Sequence, residues 1–245
     1  MTNVQRNISH EAVRKHFDRI ASHYDDFKEK NSYYYAKLKE LYGELMEVPG
    51  CGSVIELGCG SGCILEYLNP KLGIGVDVSQ RMIENATRKY EQRSNLNFYC
   101  GSIDDIAFMN DIFKKAQFDY CIIPDTLEHL VDLPQTFHVL SQIVQRSTMV
   151  IMSWGNPIWT PVLEMLEVMR LKMPEGPHRW PGMGEVSAVL NKSGFIIVRS
   201  GRRILIPVHI PVISEFVNER VFRVPLLRRL CLLQFVVCRR ATGGA

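Results

Sequence analysis

Residues 54–62 read Val-Ile-Glu-Leu-Gly-Cys-Gly-Ser-Gly, and a second short apolar run closes on Gly75-Val76-Asp77. Gly58, Gly60 and Gly62 make a bare turn. Without a Cβ, such a turn lets a ligand touch the main chain. Val54, Ile55 and Leu57 read as a buried strand, and Ile64 to Leu68 as the start of a helix. Asp77 follows the turn by about 20 residues, the spacing at which a βαβ nucleotide fold sets a carboxylate on a ribose. Together these residues imply an adenosine-type cofactor.

Two cofactors compete for the pattern. A dinucleotide needs G-x-G-x-x-G, and here Cys63 stands at the third glycine's place. Glu56, just before the turn, would repel a pyrophosphate but suits a ligand with an ammonium and a sulfonium. S-adenosylmethionine (SAM) is such a ligand. With Glu56-Leu57-Gly58-Cys59-Gly60-Ser61-Gly62 in this form, the chain resembles the class I SAM-dependent methyltransferases, whose first motif is acid-x-G-x-G-x-G. The resemblance spans residues ~10 to 200 in pattern and is strongest at this motif. It implies that Glu56 serves the methionine end and that Gly58 and Gly60 meet the cofactor through backbone. Asp77 takes both ribose hydroxyls, or else caps the next helix, a part for which Ser79 is better placed. Cys59, Val78 and Pro124 complete the expected cofactor contacts, with Ile103 against the adenine. Ser102 sits where the family commonly has an acid for the adenine amino group. The first helix, with His16, Phe17, Ala21 and Tyr24, resembles the family's lid segment, in which Tyr24 closes over the methionine moiety; the alternative is a plain amphipathic packing helix.

For chemistry at the acceptor, Pro124-Asp125-Thr126-Leu127-Glu128-His129 follows the fourth strand and so faces the reaction site; the family often carries a similar Leu-Glu-His run there. His129 is either a base toward an acceptor hydroxyl or amine, or a packing residue under the cofactor. Residues 154–182, with Glu175, His178, Arg179 and Trp180 in a proline-glycine loop, resemble bacterial methyltransferase-like proteins, including the methionine-biosynthesis-associated W type and relatives linked to glycan or lipid modification. These four residues grip an acceptor, with His178 as a second candidate base, or hold their loop together by salt bridges. Asn156-Pro157-Ile158-Trp159 is read as a turn.

The elements that must position these groups alternate. Strands are predicted at 53–57, 73–77, 96–100, 118–123 and 147–153, and helices at 62–68, 79–92, 104–115 and 132–145. Amphipathic helices are predicted before them at 9–22 and 31–47. Beyond them come a helix at 161–171, a helix at 183–193, a strand at 195–199 and a buried strand at 230–238. Such alternation gives an α/β fold with ligands at the carboxyl ends of parallel strands. The resemblance adds a Rossmann-like, seven-stranded, mostly parallel sheet with helices on both faces and its last strand antiparallel beside the fifth. The 245 residues read as one domain: a helical lid at 1–47, a cofactor-binding core at 48–153, and acceptor-side elements at 154–182 and 201–230.

A formal charge of +3 and the absence of a basic stripe argue against a nucleic-acid partner. No apolar run approaches a membrane span, and no signal region opens the chain, so a cytoplasmic location is expected. The seven cysteines, at 51, 59, 63, 100, 121, 231 and 238, form no C-x-x-C pair and read as reduced thiols, with no metal site. Arg202, Arg203, Arg220, Arg223, Arg228 and Arg229 alternate with apolar runs; they meet an anionic acceptor or a membrane face, or solvate a packed tail. The resemblance thus implies a methyltransferase acting on oxygen or nitrogen of a small-molecule acceptor, for which an anionic or a sugar- or lipid-linked molecule is a candidate. The alternative is a protein that binds the cofactor without catalysis.

Overall fold

The computed structural model describes residues 8–46, 52–169, 173–174, 176–221 and 224–241. Cys51, Glu175 and Arg223 lie outside the described residues, as do the far ends of the helices predicted at 31–47 and 161–171.

Three helices precede the sheet: α1 (His10–Ile20), α2 (Tyr24–Lys30) and α3 (Ser32–Leu45). Ser9 caps α1 by accepting from the Ala12 N–H, and Val13, His16 and Ile20 fall on its buried face. The single helix expected over 9–22 is interrupted by a 3-10 turn at Ala21–His23. The Asn85 side chain takes up the Ala21 carbonyl at 2.9 Å, which satisfies a group the break exposes. The chain is thereby redirected, and α2, absent from the sequence reading, points its side chains at the glycine turn.

One seven-stranded sheet follows, in the order β3-β2-β1-β4-β5-β7-β6. Its strands are β1 (Ser53–Leu57), β2 (Leu72–Asp77), β3 (Leu96–Cys100), β4 (Tyr120–Ile123), β5 (Met149–Gly155), β6 (Phe195–Arg203) and β7 (Leu233–Arg240). Strands β1 to β5 pair in parallel, and β7 runs antiparallel between β5 and β6. The order reverses between β1 and β4, which opens a crevice at their carboxyl ends. Between the strands lie α4 (Cys63–Leu68), α5 (Gln80–Lys89), α6 (Ile106–Phe113) and α7 (Leu133–Ile143), followed by α8 (Thr160–Val168), α9 (Met183–Lys192), α10 (Ile213–Glu219) and α11 (Pro225–Arg228).

Alternate residues of each strand feed two cores. Ile55, Cys121, Val150 and Val236 face the α6, α7 and α9 side. Val54, Ile122, Ile151 and Phe235 face the α3 and α4 side. Burial of one such aliphatic side chain contributes roughly 1.5–3 kcal/mol. Asp132 caps α7 and Ser79 caps α5, as their spacing predicts.

Two strands differ from the sequence reading at the tail. β6 continues to Arg203, because its whole length pairs with β7 from Phe195↔Arg240 to Arg203↔Leu233. Arg202 and Arg203 therefore lie in a strand, and the Arg203 guanidinium stands 5.5 Å over the Phe235 ring. β7 starts at Leu233 rather than 230, since 229–231 instead receives the side chains of Asn156 and Trp159 at its carbonyls.

Candidate active site

A cavity of about 440 Å³ opens where β1, β2 and β4 end. Its floor is the glycine turn. Gly58 and Gly60 have φ of +75° and +52°, a region costly for other residues. A Cβ on Gly58 would collide with the Thr126 side chain, and one on Gly60 would lie 3.0 Å from the Tyr24 ring. The turn is bare because other side chains press on it from both sides.

Tyr24, Glu56, Gly58, Cys59, Gly60, Asp77, Val78, Ser102, Ile103 and Pro124 all line this one cavity, as does His129. Asp77 is buried, and its carboxylate accepts from the Gly60 N–H at 2.8 Å and the Ser79 N–H at 2.9 Å, one on each oxygen. A carboxylate has about four acceptor sites, so each oxygen keeps one for a hydroxyl donor. Burial raises the Asp77 pKa above the ordinary aspartate value. Glu56 takes the Leu65 N–H at 3.0 Å, and burial pushes its pKa up to about 8. Burial likewise carries the Tyr24 phenol up to about 12.

The Ser102 hydroxyl accepts the Asp104 N–H at 3.2 Å. Asp104 reads in sequence as a first-turn helix acid, but Asp105 caps α6, and Asp104 turns into the cavity wall against Thr136 and His10. A carboxylate thus stands two residues beyond the position where the family's acid was sought.

On the acceptor side the histidines are ordered by carbonyls. His129 Nδ1 lies 3.1 Å from the Pro177 carbonyl, which only accepts. In the neutral ring the proton is therefore on Nδ1 and the basic lone pair on Nε2. Phe17 meets the His129 ring edge-on at 5.0 Å, and His178 stands on it at 6.2 Å. His178 is not among the residues that line the cavity; its Nδ1 donates to Gly176 O at 2.9 Å. Arg179 forms a two-pronged pair with Glu185 at 2.7 and 2.9 Å, so it holds the loop. Trp180, read as part of a proline-glycine loop outside the core, is buried: it packs on Gly155 and lines the cavity.

Sequence reasoning passed over Tyr34, and gave Asp125 no role beyond its place in the run that faces the reaction site. Asp125 has φ +44°, a strained value for aspartate. It is held there by the Tyr34 hydroxyl at 2.7 Å and the Ser153 hydroxyl at 3.0 Å. Both Tyr34 and Asp125 line the cavity. The positive φ is invisible in sequence, and Tyr34 reads there as the middle of the run Tyr33-Tyr34-Tyr35 on a plain helix.

The geometry fits a cationic nucleoside: a bare turn, a carboxylate with two spare acceptors, and a second buried acid beside the turn. Residues 54–147 match the family model described as a methyltransferase domain. The chain carries a class I SAM-dependent methyltransferase domain. This methyltransferase is 22% identical over 197 residues to malonyl-acyl-carrier-protein O-methyltransferase 1 of Ilyobacter polytropus, covering 76% of this chain and 68% of that protein. It spans about half to two thirds of the length of the curated relatives it matches. Its fold resembles a chain in the complex of the Haloferax volcanii Trm112 methyltransferase activator with a methyltransferase (TM-score 0.70, 19% identity, 95% of this chain and 99% of that one). It also resembles the magnesium protoporphyrin IX methyltransferase of Synechocystis, solved with bound SAH (TM-score 0.56, 17% identity, 89% and 86%). SAM is the cofactor of the methyltransferase. No helix among the described residues is long and apolar enough to cross a membrane.

Proposed function

We propose that this methyltransferase places a methyl group on an oxygen or nitrogen of a small-molecule acceptor with a largely apolar body. One observation carries the reading: beyond the glycine turn, the same cavity is walled by Leu163, Leu166, Met173, Trp180, Val208 and Leu232. His129, Tyr34 and Asp125 supply polar atoms on its wall. The names of the relatives favour oxygen, since the Ilyobacter protein is an O-methyltransferase.

Bound in this cavity, SAM supplies a methyl group on a positively charged sulfur, already activated for in-line displacement. The chain's residues then align, exclude water and manage a proton. Asp77 holds the ribose and Ile103 the adenine face, with Ser102 and Asp104 toward the adenine amino group. Glu56 faces the ammonium, and Tyr24 covers the methionine end from above Gly60. His129, with its proton fixed on Nδ1, takes the acceptor's proton at Nε2 where the acceptor must lose one.

The test is transfer from methyl-labelled SAM to a panel of amphiphilic acids, alcohols and amines beside their short polar counterparts. Label in the amphiphiles supports the reading. Label in the polar members alone, or cofactor binding without transfer to any, contradicts it. His129→Ala should lower turnover far more than cofactor affinity; equal losses would make His129 a packing residue.

A second reading concerns where such acceptors come from. Exposed apolar side chains crowd the segments that border the apolar half of the cavity: Met165 and Val168 of α8, Val212 and Phe216 at α10, Leu226 of α11. Arg220, Arg228 and Arg229 are exposed among them. Apolar groups ringed by arginines suit a lipid-linked acceptor and an anionic membrane face.

A further inference from the structure

The cavity wall contains a cation that no step above uses. Lys28 lies on α2, and among the described residues it is the one lysine or arginine lining the cavity. Its Nζ donates to Cys63 Sγ at 3.2 Å, and stands 4.5 Å from the centre of the Tyr24 ring and 5.0 Å from that of Tyr35. Among the described residues no carboxylate pairs with it at ion-pair distance.

Such an ammonium is incompletely satisfied. It has three donors; a thiol sulfur is a weak acceptor for one, and the Tyr24 hydroxyl, a neutral group, is the other polar partner beside it. Two tyrosine faces attract the charge but offer no anion. A partly desolvated cation of this kind favours an anionic partner from the cavity.

Its position says which anion. Tyr24 packs against Gly60, and Cys63 opens α4 directly after the turn. Lys28 is therefore at the glycine-turn end, in the direction of Glu56 and away from Ser102 and Ile103. That end takes the amino-acid part of SAM, which bears an ammonium and a carboxylate. Glu56 has the charge for the first and Lys28 for the second.

We infer that Lys28 binds the α-carboxylate of the cofactor, so that Glu56 and Lys28 together read a zwitterion. The inference rests on the SAM reading and deepens it. The two tyrosine rings flank the Lys28 ammonium on the cavity wall. SAM and its demethylated product carry the same carboxylate, so the contact serves both and sets affinity rather than the methyl-transfer barrier.

The test is calorimetric titration of the full chain with SAM and with decarboxylated SAM, which lacks only that carboxylate. The wild type should bind SAM at least about tenfold more tightly than the decarboxylated analogue, the scale of a charge-assisted hydrogen bond. Lys28→Met and Lys28→Gln should abolish the preference by weakening SAM alone, and Lys28→Arg should keep most of it. Two different neutral replacements guard against a defect peculiar to one side chain. Equal loss for both ligands, or an unchanged ratio, overturns the inference. So does an effect confined to the acceptor's KM, which would assign Lys28 to the acceptor. A wild type that binds neither ligand overturns the SAM reading itself, a distinguishable outcome.

Discussion

Each oxygen of Asp77 already accepts one backbone N–H, so the carboxylate is rigidly aimed before any ligand arrives. Asp77→Ala should weaken SAM binding by about 1.5–3 kcal/mol, the worth of hydrogen bonds to a charged group; an unchanged calorimetric affinity would contradict the ribose assignment. Glu56 gives a sharper signature. With a pKa raised by burial to about 8, its carboxyl is mostly protonated at neutral pH. A cationic ligand beside it favours the carboxylate, so SAM binding should release close to one proton near pH 7, and affinity should rise as pH climbs toward 8. Titrations in buffers of different ionisation enthalpy measure that proton, and Glu56→Gln should abolish it. These two acids were legible because their spacing from the glycines is fixed by the strand-turn-helix unit. Lys28 was not: Asp-Asp-Phe-Lys-Glu-Lys reads as a solvated charged surface, and only the break at 21–23 turns it inward. The burial of Trp180 was hidden for the opposite reason, since prolines and glycines around it announce a loop but say nothing of what the loop covers.

Helix α1 and the loop after α8 are tied through one imidazole. His16 Nε2 donates to the Pro174 carbonyl at 2.9 Å, and Arg19 donates to its Nδ1 at 3.3 Å. Gly176 has φ +69° and no room for a Cβ against the His16 ring. Burial lowers the His16 pKa below the ordinary histidine value. The contact is therefore fully stabilising above about pH 6.5 and weakens as pH falls below that value, because the opened state then binds a proton the closed one refuses. Amide exchange in α1, corrected for intrinsic rates, should lose protection between pH 7.5 and 5. Protection that stays constant would show that the imidazole does not hold these elements together. At this scale the sequence located β1 to β3 within a residue or so, since short apolar runs bounded by turns leave little freedom. It missed α2 and the far half of β6. The first depends on a helix break stabilised from Asn85, the second on pairing with β7, from Ser200↔Val236 to Arg203↔Leu233, and neither cause is local.

For the molecule as a whole, the strand order brings the expected cofactor contacts, from the ends of β1, β2, β3 and β4, together around the switch between β1 and β4, with the apolar acceptor elements over the same opening. That order came from resemblance, because periodicity does not say which strands are neighbours. The exposed apolar and arginine-bearing residues of segments 160–168, 208–221 and 224–230 should carry the chain onto vesicles containing anionic lipid in a salt-sensitive way. Sedimentation equal to that with neutral vesicles would confine the surface to soluble acceptors. The most direct check of the central claim is a crystal structure with SAH. The account predicts both ribose hydroxyls on the Asp77 carboxylate and the adenine against Ile103, with the amino-acid end beneath Tyr24. A ligand bound elsewhere, or a ribose turned away from Asp77, would contradict it.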